Sequence, residues 1–215
     1  DLAGNPLGGP GAGNGDYFSG EYYTIQDTAV FVDVPVGHDA YEYIQRLYNA
    51  GVTTGIPTDP PTFRPDDPVS RAQMAIFIIR AKYGPDASLD PAIGIFDDVG
   101  KEFPAAYIEK LYADEITSGC EPLPTLKYCP NNAVTRAQMA IFMMRAKYGA
   151  DYDFPDAEHI FDDVEKNSLP EDYIEQLYND GITSGCSTDP LEYCPNASIT
   201  RAQMAIFLVR TYNLP

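Results

Sequence analysis

Four cysteines, the aspartate pairs Asp97-Asp98 and Asp162-Asp163, and two histidines are the side chains of this 215-residue sequence whose types and spacing bear on chemistry. Cys120 and Cys129 have counterparts at Cys186 and Cys194, and upstream Ile56 and Arg64 stand in the same places. Cysteines gained or lost in pairs fit disulfides, each closing a loop of about ten residues and stabilising it by roughly 2 to 3 kcal/mol. An oxidising, extracellular setting follows. The competing chemistry is one zinc site with all four cysteines as ligands. It requires both pairs to converge, with spacings wider than the usual two to four residues. Asp97-Asp98 and Asp162-Asp163 suggest calcium, but the ordered ligand ladder of a calcium loop is missing, and helix capping suits them better. His38 and His159 sit in polar contexts and form no triad or metal pair, so they read as surface histidines. With no nucleophile, metal site or cofactor loop, the expectation is a protein that is not an enzyme and needs no cofactor.

These residues are positioned by a repeat. SRAQMAIF at Ser70 returns as TRAQMAIF at Thr135 and Thr200, 65 residues apart. Each copy passes through the same stations. FVDV at Phe31, or FDDV at Phe96 and Phe161, comes first. YIQRLY, YIEKLY or YIEQLY follows, starting at Tyr43, Tyr107 and Tyr173, with apolar residues at i, i+1, i+4 and i+5. That is one apolar stripe on an amphipathic helix. A turn ending at Gly55, Gly119 or Gly185 and a proline-rich loop then lead to the octamer.

The octamer starts a helix. Ser70, Thr135 and Thr200 are N-caps, with Gln73, Gln138 and Gln203 three residues on, which is the capping-box arrangement. Beyond an invariant arginine, the stretch is apolar on nearly every side as far as Arg80, Arg145 and Arg210, predicting helices buried all round. Gly84 and Gly149 read as C-terminal caps, and Met74, Met139 and Met204 as core filler. One buried and one amphipathic helix cannot close a core alone. Three copies close one by placing their apolar helices together in the middle.

The formal charge of −18, with only 14 Lys plus Arg, leaves too little positive charge to neutralise phosphates, so no nucleic-acid partner is expected. No apolar run is long enough for membrane insertion. Asp1 is preceded by neither Met nor a leader, which fits a secreted form with its targeting segment removed. Residues 1–16 hold six glycines and two prolines, the composition of a linker or arm. Extended, they span on the order of 50 Å, against a radius of gyration near 16 Å for a compact body of this size. The Tyr-, Thr-, Ile- and Val-rich stretch after them could pair as a strand with another chain or with its own body. Asn196-Ala197-Ser198 fits the glycosylation pattern.

From Phe31 to Arg210 the sequence resembles three consecutive S-layer homology (SLH) repeats. The resemblance rests on FxDV, YIxxLY, GITSG, the FRP or YCP before the second helix, and [S/T]RAQ followed by an apolar helix ending in Arg. It implies a mainly α fold: a pseudo-threefold trimer with a central three-helix bundle, outer amphipathic helices and loops, here with an extended N-terminal arm. The domains would be the arm at 1–30 and repeats at 31–84, 96–149 and 161–215. The resemblance also implies an extracellular, non-enzymatic role docking onto an anionic, often pyruvylated cell-wall polysaccharide. The family's binding arginine falls on Arg71, Arg136 and Arg201, and its turn glycine on Gly55, Gly119 and Gly185. A guanidinium at a helix N-terminus offers a planar donor fork for a carboxylate. The alternative is that each arginine pairs with the FDDV acids of a neighbouring repeat. The family's usual acid after the arginine-alanine pair is Gln in all three copies, and Trp is absent, leaving tyrosines to stack on sugar. Because the chain ends just after its third buried helix, the expected function is a surface subunit. Copies of the chain would assemble into a layer or filament through residues 1–30, and the inter-repeat grooves would take envelope glycan. The alternative is a glycan-anchoring module.

Overall fold

A computed structural model describes residues 29–215. The arm and its pairing with another copy fall almost wholly outside these residues. The described part is mainly helical: α1 (Tyr41–Asn49), α2 (Arg71–Tyr83), α3 (Ala105–Ala113), α4 (Arg136–Tyr148), α5 (Glu171–Asn179) and α6 (Arg201–Tyr212). Between α5 and α6 lies a short antiparallel hairpin of β1 (Ser187–Thr188) and β2 (Leu191–Glu192).

The long helices α2, α4 and α6 begin where their sequences dictate. Ser70, Thr135 and Thr200 each accept a bond from the glutamine amide three residues on, and each glutamine side chain returns a bond to the cap's own amide. Two of the orphan donors at each helix start are thereby satisfied. Met74, Ile78, Met139, Met143, Met204 and Leu208 are fully buried. At about 1.5 to 3 kcal/mol for each large apolar side chain removed from water, they are a principal stabilising element.

Each long helix touches the other two. Each short helix packs on a long helix from a different repeat: α3 on α2, α5 on α4, and α1 on α6. The third contact joins the two ends of the described chain. Amphipathicity explains why: α1, α3 and α5 bury Ile44 and Leu47, Ile108 and Leu111, or Ile174 and Leu177, the i, i+3 stripe of a helix with one neighbour. Where the three long helices begin, the backbone closes a ring. Val69 N donates to Ile199 O, Ile199 N to Val134 O, and Val134 N to Val69 O, at 3.0, 2.9 and 2.9 Å.

Asp98 and Asp163 do not cap helices, contrary to the expectation for their aspartate pairs, and Asp33 holds the equivalent place in the first repeat. Asp33, Asp98 and Asp163 instead bridge about thirty residues forward. Each accepts two backbone amides, Phe63 and Arg64, Tyr128 and Cys129, or Tyr193 and Cys194, at 2.7 to 2.8 Å. The loop leading to each long helix is thus pinned to the start of its own repeat. Two of these loops are also closed covalently, by Cys120–Cys129 and Cys186–Cys194. The cysteines are therefore disulfides within repeats and do not form a joint zinc site.

The linkers ahead of the second and third repeats are held by glutamates on the short helices. Glu109 accepts from the amides of Ile93, Gly94 and Ile95, and Glu175 from those of Glu158 and Ile160. Burial alone would raise the Glu109 carboxyl, but its three amide donors bring it below the usual carboxylate range.

Candidate functional site

Arg71, Arg136 and Arg201 each occupy the first position of a long helix, and all are buried, at 4, 4 and 5% exposure. Each reaches into the following repeat, with the third reaching back into the first. Their Nε atoms donate to the carbonyls of Tyr128, Tyr193 and Phe63 at 2.7, 2.8 and 2.6 Å. Each guanidinium also lies over the ring of that same residue, at 4.8, 4.7 and 4.6 Å. Phe142, Phe207 and Phe77 cover it further off, at 5.3, 5.8 and 5.4 Å. The contact is reciprocal in two cases, where the Tyr128 and Tyr193 hydroxyls donate to the carbonyls of Arg71 and Arg136.

The bond partners are thus backbone carbonyls and not the FDDV acids. Burial lowers the Arg71 and Arg136 guanidiniums from their ordinary value, opposed by Tyr128 and Asp98 for the first and by Tyr193 and Asp163 for the second. Arginine's intrinsic basicity keeps all three charged. Around them the backbone interlocks in the same cyclic order: the amides of Arg71, Arg136 and Arg201 donate to Asn132, Ala197 and Asp67. Part of each arginine's role is therefore to join repeats.

Gly55, Gly119 and Gly185 have φ of 71, 92 and 87°, where a Cβ is strained. A Cβ there would also come within 2.8, 2.5 and 2.4 Å of the carbonyls of Thr62, Lys127 and Glu192. The fold of each repeat requires these glycines whether or not a ligand approaches them.

One groove brings members of the two sets together. It encloses 170 Å³ and is lined by Gly55, Gln73 and Arg80 of the first repeat, Phe103 of the second and Arg201 of the third. All three repeats contribute, so the groove exists only when they are joined. Phe103 is 72% exposed, an apolar ring lining the same groove as two arginines. The equivalent arginines are more enclosed: one terminal nitrogen of Arg71 and one of Arg136 are buried with no partner. The groove can therefore offer cationic donor forks and one aromatic face to an anion carried on a ring.

Arg80 and Phe103 were not singled out as site residues in the sequence. The signal for Arg80 was present: it lies nine residues after Arg71, two and a half turns at ~3.6 residues per turn, and so faces the opposite side of its helix. Arg80 lines the groove while donating to the Tyr107 hydroxyl and the Val52 carbonyl, both at 3.4 Å, so both arginines of α2 also contact the second repeat. His159 is less isolated than its sequence suggested, because its Nδ1 lies 2.8 Å from Glu171.

Residues 31–75 match the S-layer homology domain. The chain carries an SLH domain. A 179-residue match, 28% identical, relates 81% of the chain to an endoglucanase from Bacillus sp. (strain KSM-635), of whose length the chain spans 18%. SLH domains are non-catalytic modules of the cell surface, with an anchoring or structural role, and they bind cell-wall polysaccharide. No helix among the described residues is long and apolar enough to cross a membrane.

Proposed function

We propose that the chain is a secreted, non-enzymatic SLH anchor, whose groove between repeats docks onto a carboxylate-bearing envelope glycan such as a pyruvylated polysaccharide. The supporting observation is the placement of Arg80, Arg201 and Phe103 around Gly55, cationic forks beside an exposed ring in a chain that is otherwise strongly acidic. Residues 31–84, 96–149 and 161–215 are three SLH units about a pseudo-threefold axis, with α2, α4 and α6 as the central bundle. The cyclic contacts and the ring of backbone bonds support that arrangement. Arg71, Arg136 and Gly119, Gly185 belong to the two equivalent grooves. The match to a small share of a much longer endoglucanase favours the reading of a module that holds something else at a surface.

The test is sedimentation of the protein with purified cell-wall polymer. Arg80→Gln and Phe103→Ala spare the inter-repeat bonds of Arg201 and should each weaken binding about tenfold, the first by the loss of a charge-assisted contact and the second by the loss of an aromatic one. Undiminished binding by both variants rules the groove out. A second reading, assembly of copies through residues 1–30, is favoured by their Gly/Pro-rich run and the β-prone stretch after it. Light scattering of the full chain beside one lacking residues 1–29 decides it: only the full chain should then grow into large particles.

A further inference from the structure

The largest cavity described lies away from the arginines and has the opposite charge. It encloses 650 Å³ between the linker ahead of the third repeat and the start of α5, within the ~300 to 1,000 Å³ typical of small-molecule sites. Its apolar wall is part of a continuous aromatic run. Tyr148 stacks on Tyr152 at 4.7 Å, Tyr152 meets Phe154 at 4.8 Å, and Phe154 meets Tyr173 at 5.0 Å. Arg145 covers the Tyr173 ring at 5.7 Å, whereas Tyr152 is 45% exposed.

The polar lining is anionic. Glu171 is buried and already engaged by His159 and the Asn167 amide. Asp153, Asp156 and Asp172 also line the cavity, are exposed, and make no hydrogen bond or ion pair among the described residues. No Lys or Arg lines it. These acids do not gather as a metal site would: the candidate metal-holding clusters among the described residues lie at the cysteines and include none of them. Carboxylates spaced around an aromatic wall suit a larger ligand. Ionised carboxylates only accept hydrogen bonds, so that ligand must be rich in donors. An ammonium supplies three donors and the complementary charge, and is favoured beside an aromatic ring.

We propose that this cavity binds a saccharide unit carrying a free amine, its ring against Tyr152 and Phe154 and its ammonium and hydroxyls on Asp153, Asp156 and Asp172. The site is separate from the arginine groove and takes ligand of the opposite charge, so the proposal stands or falls independently of the anchor reading.

The experiment is calorimetric titration of the full chain with a fully deacetylated chitosan oligomer at slightly acidic pH, where carboxylates remain ionised. The N-acetylated oligomer of equal length is the comparison. The deacetylated probe should bind at least about tenfold more tightly, and binding should weaken by a similar factor both in Tyr152→Ala and in the triple variant Asp153→Asn, Asp156→Asn, Asp172→Asn. A control removes three exposed acids elsewhere, through Asp59→Asn, Glu102→Gln and Asp189→Asn, and should keep wild-type affinity. Equal binding of both oligomers, equal loss in the control, or no loss in the cavity variants overturns the proposal.

Discussion

Phe63 stands where the other two repeats have Tyr128 and Tyr193, and the difference sets up a quantitative test. All three rings are fully buried beneath an arginine from another repeat, and the guanidinium-to-ring distances agree within 0.2 Å, at 4.6, 4.8 and 4.7 Å. The Nε-to-carbonyl bonds are equally alike, at 2.6, 2.7 and 2.8 Å. A hydroxyl added at Phe63 should therefore reach the Arg201 carbonyl as Tyr128 and Tyr193 reach those of Arg71 and Arg136, at 2.7 and 2.8 Å. The receiving carbonyl already serves its own helix, so the new bond uses its second lone pair and no acceptor is now orphaned. Its worth is that of an ordinary buried hydrogen bond, about 1 kcal/mol. For a chain of this size that is a rise in Tm of about 2 to 4 °C in Phe63→Tyr. Tyr128→Phe and Tyr193→Phe should each lose about the same, without the cavity penalty of a larger truncation. Urea unfolding with the disulfides intact, followed by circular dichroism, reads all three. If Phe63→Tyr proves neutral or destabilising while both Tyr→Phe changes are costly, the junction between the third and first repeats is not equivalent to the others and the reasoning fails.

Four further outcomes follow from the same geometry. Glu115 has φ of 59° where the other repeats place Gly51 and Gly181, each at 70°. Glu115→Gly should stabilise by about 0.5 kcal/mol, the relief of a left-handed side chain less the added unfolded-state entropy. Gly181→Ala, where a Cβ meets nothing within 4 Å, should cost about 1 kcal/mol from conformation alone, and urea titration reads both changes. The Glu109 carboxyl, lowered by its amide donors against the upward push of burial, contributes stability above its unfolded value of about 4.3 that is lost as pH falls through its lower folded value. Glu109→Gln should flatten that part of the acid limb in pH-dependent melts, and an unchanged limb would show that the linker clamp carries no charge-dependent stability. In hydrogen exchange, the Arg201 and Ala202 amides, bonded to Asp67 and Pro65, should exchange faster than their counterparts at Arg71, Ala72, Arg136 and Ala137; equal protection would contradict a weaker seam.

The helices were legible because their signals are local. Ser70 with Gln73, and Thr135 and Thr200 with their glutamines, fix three helix starts from four-residue patterns, and the i, i+3 stripes fix the short helices. The disulfides were legible from cysteines that come and go in pairs. What the sequence did not show is which repeat each side chain serves. Arg201 bonds Phe63, 138 residues earlier in the chain, and only the closure of the first repeat onto the third brings them together. Asp98 and Asp163 read locally as helix caps because the loop amides they hold are about thirty residues away. Arg80 carried a periodic signal, half a turn out of phase with Arg71, but its meaning required knowing that two different repeats flank α2. Short-range chemistry identified the elements; the groove depends on long-range order.

That order leaves one junction weaker than the other two. Where the third repeat meets the first, Phe63 lacks the hydroxyl of Tyr128 and Tyr193. Ala50 replaces Asp114 and Asp180, which accept from Tyr83 and Tyr148, and Asn213 stands in place of those two tyrosines. Gln45 replaces the linker-clamping Glu109 and Glu175, and its amide nitrogen is buried and unpaired. Ile56 and Arg64 replace a disulfide. Partial compensation comes from Arg46, which donates to the carbonyl of Leu214, whereas the bond from Arg210 to the Tyr43 hydroxyl repeats that of Arg80 to Tyr107. The groove holding Gly55 and Arg201 lies at this seam. A site at the least reinforced junction is the one whose walls can separate at the lowest cost, and a ligand that bridges Arg80 and Arg201 would tie the first repeat to the third. Ligand binding and closure of the ring would then reinforce each other, each strengthening the contact on which the other depends.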